Sequence, residues 1–186
     1  ELNEPPARGL FLWKKMGWRL ADRRTPENRV VFPTHKTDNS MILSVCVKLK
    51  DIDEQGRNFH WPKPPDCPRC CSVRIWGHGF VLAYFDGFAF GLWLRRYRCP
   101  DCNCIIRMKP EGYFPRFQAS IETIYSCLKQ RLCTGRWNRD LSTSRQRHWV
   151  AALKRKTMAF FGIGNDWILS FLRLMDMDRI PVSRAI

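Results

Sequence analysis

Cys67-Pro68-Arg69-Cys70 and Cys99-Pro100-Asp101-Cys102 are two copies of one four-residue pattern. Two residues between cysteines let both thiolates of a tight turn face a single ion. Two such turns supply four sulfurs, the donor set and number that tetrahedral zinc takes. Proline in the second position presets each turn. Asn103, just after the second pair, tolerates the left-handed backbone that such a knuckle needs, and Cys71 holds the equivalent place after the first. Four sulfurs leave no open coordination position, so the expected zinc is structural and single. A redox-active pair is the weaker rival, because it needs only one Cys-x-x-Cys within a βαβ unit. Cys71, Cys104, His60 and His78 are alternative ligands. Arg69 and Arg98 flank the ligands and would offset the net negative charge of a tetrathiolate zinc.

Working outward, 28 residues separate the pairs. Val73–Trp76 and His78–Tyr84 read as strands. Asp86-Gly87 is a turn signal, Leu92–Arg98 returns as a strand, and Cys104–Met108 adds another. The expectation is a β-ribbon with both knuckles at one end, the metal replacing part of a core. Trp76, Phe80, Tyr84, Phe85, Phe88, Phe90, Trp93 and Tyr97 are either its packing or a platform for stacking bases. Arg95, Arg96 and Arg98 with Tyr97 form a basic-aromatic strand suited to phosphate.

On the N-terminal side, Met41–Leu49 reads as a short strand, Asp51–Asn58 as a polar turn, and Trp61–Asp66 as an extended proline-rich approach. Residues 1–40 show no sustained period beyond some helical character in Leu10–Leu20. They are expected to be an irregular or non-native extension, with Met41 as the native start.

On the C-terminal side, Ile121, Ile124, Tyr125, Leu128 and Leu132 share about 100° of helical arc. Ser120 is the expected N-cap, and Gly135 ends the helix. Arg136–Leu141 suits a short second helix. Thr143 with Gln146 fits a capping box that opens a third, Ser144–Lys156, on which Gln146, Trp149, Val150 and Leu153 share a face. Lys129–Lys156 holds nine Lys or Arg and one acid, Asp140. A basic third helix packed on its partners is what a helix-turn-helix requires, though a solvated bundle helix has the same pattern. Arg147 is the first candidate for a base contact, Lys154, Arg155 and Lys156 for phosphates, and Arg145 and His148 complete the basic surface with Arg95 and Arg96 of the ribbon. Asn165 is expected to cap a last apolar helix running to Met177. That helix packs on the others or, through residues 165–177, meets a second copy.

The chain carries 32 Lys and Arg against 17 Asp and Glu, a net charge of +15 over 186 residues. That excess points to a polyanion. Hydrophobic residues make up 45% of the chain, which excludes a disordered polyelectrolyte. No apolar run is long enough for a membrane span, and the acidic stretch Glu1–Pro6 lacks the basic-then-apolar order expected of a secretory leader. Nine cysteines, clustered rather than dispersed, suit a metal site in a reducing, cytoplasmic compartment better than a disulfide framework.

The order Cys-Pro-Arg-Cys, Gly-His-Gly-Phe, Arg-Arg-Tyr-Arg-Cys-Pro-Asp-Cys, then paired helices resembles the N-terminal region of insertion-sequence transposases and small zinc-ribbon proteins related to them. The likeness covers about residues 61–156. It implies zinc on Cys67, Cys70, Cys99 and Cys102, and double-stranded DNA on Ser142–Lys156. Such transposases continue into a ribonuclease-H-type catalytic domain, and the acids after the third helix here, Asp166, Asp176 and Asp178, have no sheet to carry them. The resulting expectation is an α+β chain: an extension over 1–40, a zinc-ribbon domain over 41–116 and a helical domain over 117–186. It would bind DNA without catalysing a reaction, with residues 165–177 offered to a second copy or, as the resemblance implies, to a transposase partner. Binding RNA or single strands through the ribbon, or acting as a protein adaptor, are the competing readings.

Overall fold

The computed structural model describes residues 31–33 and 40–184. Strand β1 (Val31–Pro33) pairs antiparallel with β2 (Ser40–Val45), so the segment expected to be irregular contributes a sheet edge. The helical character expected for Leu10–Leu20 lies outside the described residues. After β2 the chain forms helix α1 (Leu49–Gln55), then a tight turn over Gly56–Asn58. Asp51–Asn58 is therefore largely helix. About two turns of helix are too short for an amphipathic pattern to stand out from polar neighbours, yet Ile52 is wholly buried under the sheet. That burial is worth roughly 2–3 kcal/mol.

The proline-rich segment has no regular structure. It brings Trp61 into the core, where its carbonyl accepts a bond from the Tyr97 hydroxyl at 3.4 Å. Strand β3 (Trp76–Ala83) follows as one element, with a bulge between Gly77 and Phe80 where two strands were expected. Gly79, at φ +77°, supplies the conformation. Strands β4 (Leu92–Arg98) and β5 (Ile105–Pro110) fall close to the expected runs. The sheet order is β1-β2-β5-β4-β3, antiparallel throughout except that β2 runs parallel to β5. Among the described residues the result is a mixed five-stranded sheet.

Three helices follow. Helix α2 (Ile121–Thr134) begins at Ser120, whose hydroxyl accepts from the Thr123 amide, and stops at Gly135 in the left-handed conformation. No helix forms over Arg136–Leu141. Helix α3 (Thr143–Phe161) runs one turn further than expected, and its N-terminus lacks the capping box. Gln146 instead turns inward. Its amide donates to the Asn138 and Leu141 carbonyls, and its oxygen accepts from the Asn138 N–H at 3.0 Å. Those bonds satisfy the loop backbone that a short helix would otherwise have satisfied itself. Helix α4 (Trp167–Asp176) is capped by Asp166, which accepts from the Leu169 amide at 2.6 Å. Asn165, the expected cap, donates to the Phe161 carbonyl and closes α3 instead.

Two clusters of buried side chains result among the described residues. Leu43, Ile52, Trp61, Tyr97, Ile106 and Met108 belong to the sheet cluster, which also takes in Cys67, Cys99 and Cys104. Ile124, Leu128, Trp149, Leu153, Phe171 and Leu174 belong to the helical one. They meet where Lys109, at the end of β5, donates to the Phe114 and Phe117 carbonyls at 2.6 and 3.1 Å. Close by, Phe85 packs edge-on against Tyr113.

Candidate metal centre and basic surfaces

Both cysteine turns have the same backbone. Cys71 and Asn103 each sit at φ 58°, the left-handed region that follows a metal knuckle. The Cys67 amide donates to the Ser72 carbonyl at 2.8 Å, and the Cys99 amide to the Cys104 carbonyl at 2.9 Å. Cys71 thus adopts the conformation that suits Asn103 better, and it does so without an amide side chain.

This shared geometry brings four sulfurs together. Cys67 Sγ lies 3.6 Å from Cys102 Sγ, and Cys70 Sγ lies 3.5 Å from Cys99 Sγ. All four are within 4.8 Å of one another. Four tetrahedral sulfurs at about 2.3 Å from one ion are separated by about 3.8 Å, so the set fits a single metal. Cys67 and Cys99 face the core, whereas Cys70 is exposed.

The backbone favours thiolate. The amide of Ser72 bonds to Cys70, and that of Cys104 to Cys102. Burial raises Cys99, but bonds from the Cys102 and Asp101 amides outweigh it and bring the thiol down to about 7. Burial and neighbouring sulfurs push Cys102 up to about 12. Despite its bond from the Ser72 amide, Cys70 is also raised, through desolvation and the neighbouring sulfurs, so it and Cys102 resist deprotonation until a cation arrives.

A polar clasp joins the knuckles outside the sulfurs. Asp101, between the second pair, accepts from the Ser72 hydroxyl and the Arg74 guanidinium of the first. These contacts hold its carboxyl below the ordinary range. Arg98 donates to Asn103 Oδ1 at 2.8 Å, fixing the second turn.

His60, His78 and Cys71 lie outside the sulfur set. Cys104 is buried beside Cys67, and burial pushes it up to about 11. Among the remaining cysteines Cys127 is buried, and Cys46 and Cys133 are exposed. Among the described residues no other group of His, Cys, Asp and Glu could hold an ion.

The basic candidates divide by environment. Arg147, Lys154 and Arg155 are exposed on α3, and His148 is half-buried with Arg184 3.4 Å away. Arg145 is engaged within the fold, gripping Asp86 with two bonds and lying over the Trp149 ring. Lys156 is also engaged. Only 3% exposed, it donates to the Ile180 carbonyl and the Ser183 hydroxyl, each at 2.7 Å. The alternation of β4 separates Arg95 from Arg96. Arg95 lies across Gly77 and stacks on Phe80 and Tyr97. Arg96 points to the opposite face, opposite Arg107.

The ribbon aromatics divide in the same way. Phe85 and Tyr97 are buried, while Trp76, Tyr84 and Phe90 are exposed. Of residues 165–177, Phe171 and Leu174 are buried in the helical cluster, and Leu169 and Met177 are exposed. Among the described residues no helix is long and apolar enough to cross a membrane. Compared with family models, curated proteins and solved structures, the chain matches none.

Proposed function

We propose that the chain is a DNA-binding protein whose sheet is stapled by one zinc ion and whose helix α3 lies against duplex DNA. Cys67, Cys70, Cys99 and Cys102 would hold the ion. Four thiolates at tetrahedral spacing suit zinc over harder cations, and zinc there supplies folding energy rather than reactivity.

The observation that carries the DNA reading is the outer stripe of α3. Arg147, Ala151, Lys154 and Arg155 are all exposed and fall on one face, and the helix contains no acid. Its other face, with Trp149 and Leu153, is packed in the helical core. A rigid helix with one cationic side and a small residue at its centre suits close approach to a groove. The net charge of +15 supplies the long-range attraction. The resemblance of the motif order to transposase N-terminal regions supports duplex DNA as the polyanion, and the reading is of binding without catalysis.

The test is selection from a random duplex pool, followed by titration of an enriched site with the zinc-loaded chain. Arg147→Ala should weaken that site by about 1–3 kcal/mol and relax its sequence preference. Lys154→Ala and Arg155→Ala should weaken all duplexes alike and each reduce the salt slope by about one. Duplex affinity that ignores all three substitutions would remove α3 from the interface.

A further inference from the structure

Strand register places a second cationic surface on the sheet. Side chains directly opposite one another on paired strands share a face. Trp76 is opposite Arg98, and Arg96 is opposite Arg107, which is in turn opposite Ile42. Alternation puts Arg96 and Arg98 on one face of β4. One side of the sheet therefore carries Trp76, Arg98, Arg96 and Arg107 together, and strands β2 to β5 contain no acid at all.

This side is open. Trp76 is 61% exposed, and Arg98 and Arg107 are exposed. Arg96 Nε is shielded from solvent and meets no acceptor in the described protein. Further along the face lies a cavity of about 230 Å³, with Ile42, Val81, Leu94 and Phe117 in its walls and the exposed Arg107 and Arg116 also lining it.

We propose that this face binds an unpaired nucleic-acid strand, with a base stacked on Trp76 and phosphates held by Arg96, Arg98 and Arg107. The inference rests on the nucleic-acid reading above but uses a different surface. A duplex keeps its base faces inside its own stack, so an exposed indole on a sheet rewards only a strand whose bases are free. The apolar cavity with arginines on its wall offers a place for a second ring. Trp76 and Val81 oppose Arg98 and Leu94, four residues apart on β4, so they are separated by about 13 Å along the sheet, a span of a few nucleotides.

The experiment is fluorescence anisotropy with a labelled oligothymidylate and, separately, a labelled duplex, using the full zinc-loaded chain at fixed ionic strength. Trp76→Ala should weaken oligothymidylate binding by about 5- to 150-fold, the range of one base–aromatic stack. It should leave duplex affinity within about twofold. Trp76→Phe should restore most of the loss, and Arg107→Gln should weaken the single strand without affecting the duplex. Zinc content and melting temperature, measured on each variant, establish that the fold is intact.

A single-strand affinity unchanged by Trp76→Ala overturns the proposal, as does equal weakening of both probes. Duplex binding with no oligothymidylate binding sinks this inference and spares the function proposed for α3. If neither probe binds, both fail. A wild-type dimer that Trp76→Ala dissociates, with no change in strand binding, would make this face a contact between copies.

Discussion

Arg145, in the first turn of α3, grips Asp86, in the turn between β3 and β4, through two bonds of 3.0 and 2.8 Å. This fork joins the helical core to the sheet, and the Asp86 amide reinforces it by donating to the Gln118 carbonyl at 3.1 Å. Both side chains are about 30% exposed, so the pair is partly screened. Asp86→Asn should cost about 1 kcal/mol in urea unfolding, and Arg145→Ala slightly more because it also leaves Trp149. A double-mutant cycle should give a coupling of about 0.5–1 kcal/mol. Strict additivity would show that the two cores are held together by other contacts.

Gln146 is 1% exposed and makes three bonds to the loop before α3. Gln146→Ala leaves the half-buried Asn138 and Leu141 carbonyls and the Asn138 amide without this partner. The expected loss is about 2–3 kcal/mol, read as a lowered urea midpoint. Hydrogen exchange should speed up first at the Asn138 amide. A variant as stable as the parent would mean that water replaces the side chain.

Lys109 gives the stability a pH dependence with a definite sign. Burial lowers its ammonium from the ordinary 10.5 to about 8. Between those values the unfolded chain holds a proton that the folded chain has released, so folding is favoured as pH rises. The full shift corresponds to about 3 kcal/mol. Relative to Lys109→Met, the parent should gain stability between pH 8 and 10.5 and show no such gain between pH 6 and 7.5. Parallel curves for the two proteins across the whole range would contradict this assignment.

Which cysteines hold the ion can be separated from which merely lie nearby. Cys99→Ser should lower metal affinity and unfold the sheet, because a missing ligand weakens both. Cys71→Ser and Cys104→Ala should each retain one ion per chain by elemental analysis. Loss of metal in Cys104→Ala would bring that buried thiol into the coordination sphere.

The parts of this fold that the sequence makes legible are those with local signals. The cysteine turns are set by proline and by spacing, Leu92–Arg98 by its β-forming residues, and α2 by its period and by the signals of Ser120 and Gly135. What escaped is non-local or short. The parallel pairing of β2 with β5 joins segments with most of the ribbon between them, and no residue pattern specifies that partner. Helix α1 presents a single fully buried apolar residue, Ile52, too little for a period. Gln146 has the spacing of a capping box, but it satisfies the loop rather than the helix end. Arg145 and Lys156 read as free cations because sequence gives charge without partners; Asp86 and the Ile180 carbonyl are distant in the chain. The sheet face with Trp76 was recoverable from alternation once the bulge at Gly77–Phe80 was known, since that bulge decides which face each aromatic takes.

The most direct test is elemental analysis of the purified chain coupled to thermal melting before and after chelation. The expected result is one zinc per chain and a cooperative transition that collapses when the metal is removed and returns when zinc is restored. A metal-free chain that stays compact and melts cooperatively would contradict the account at its foundation.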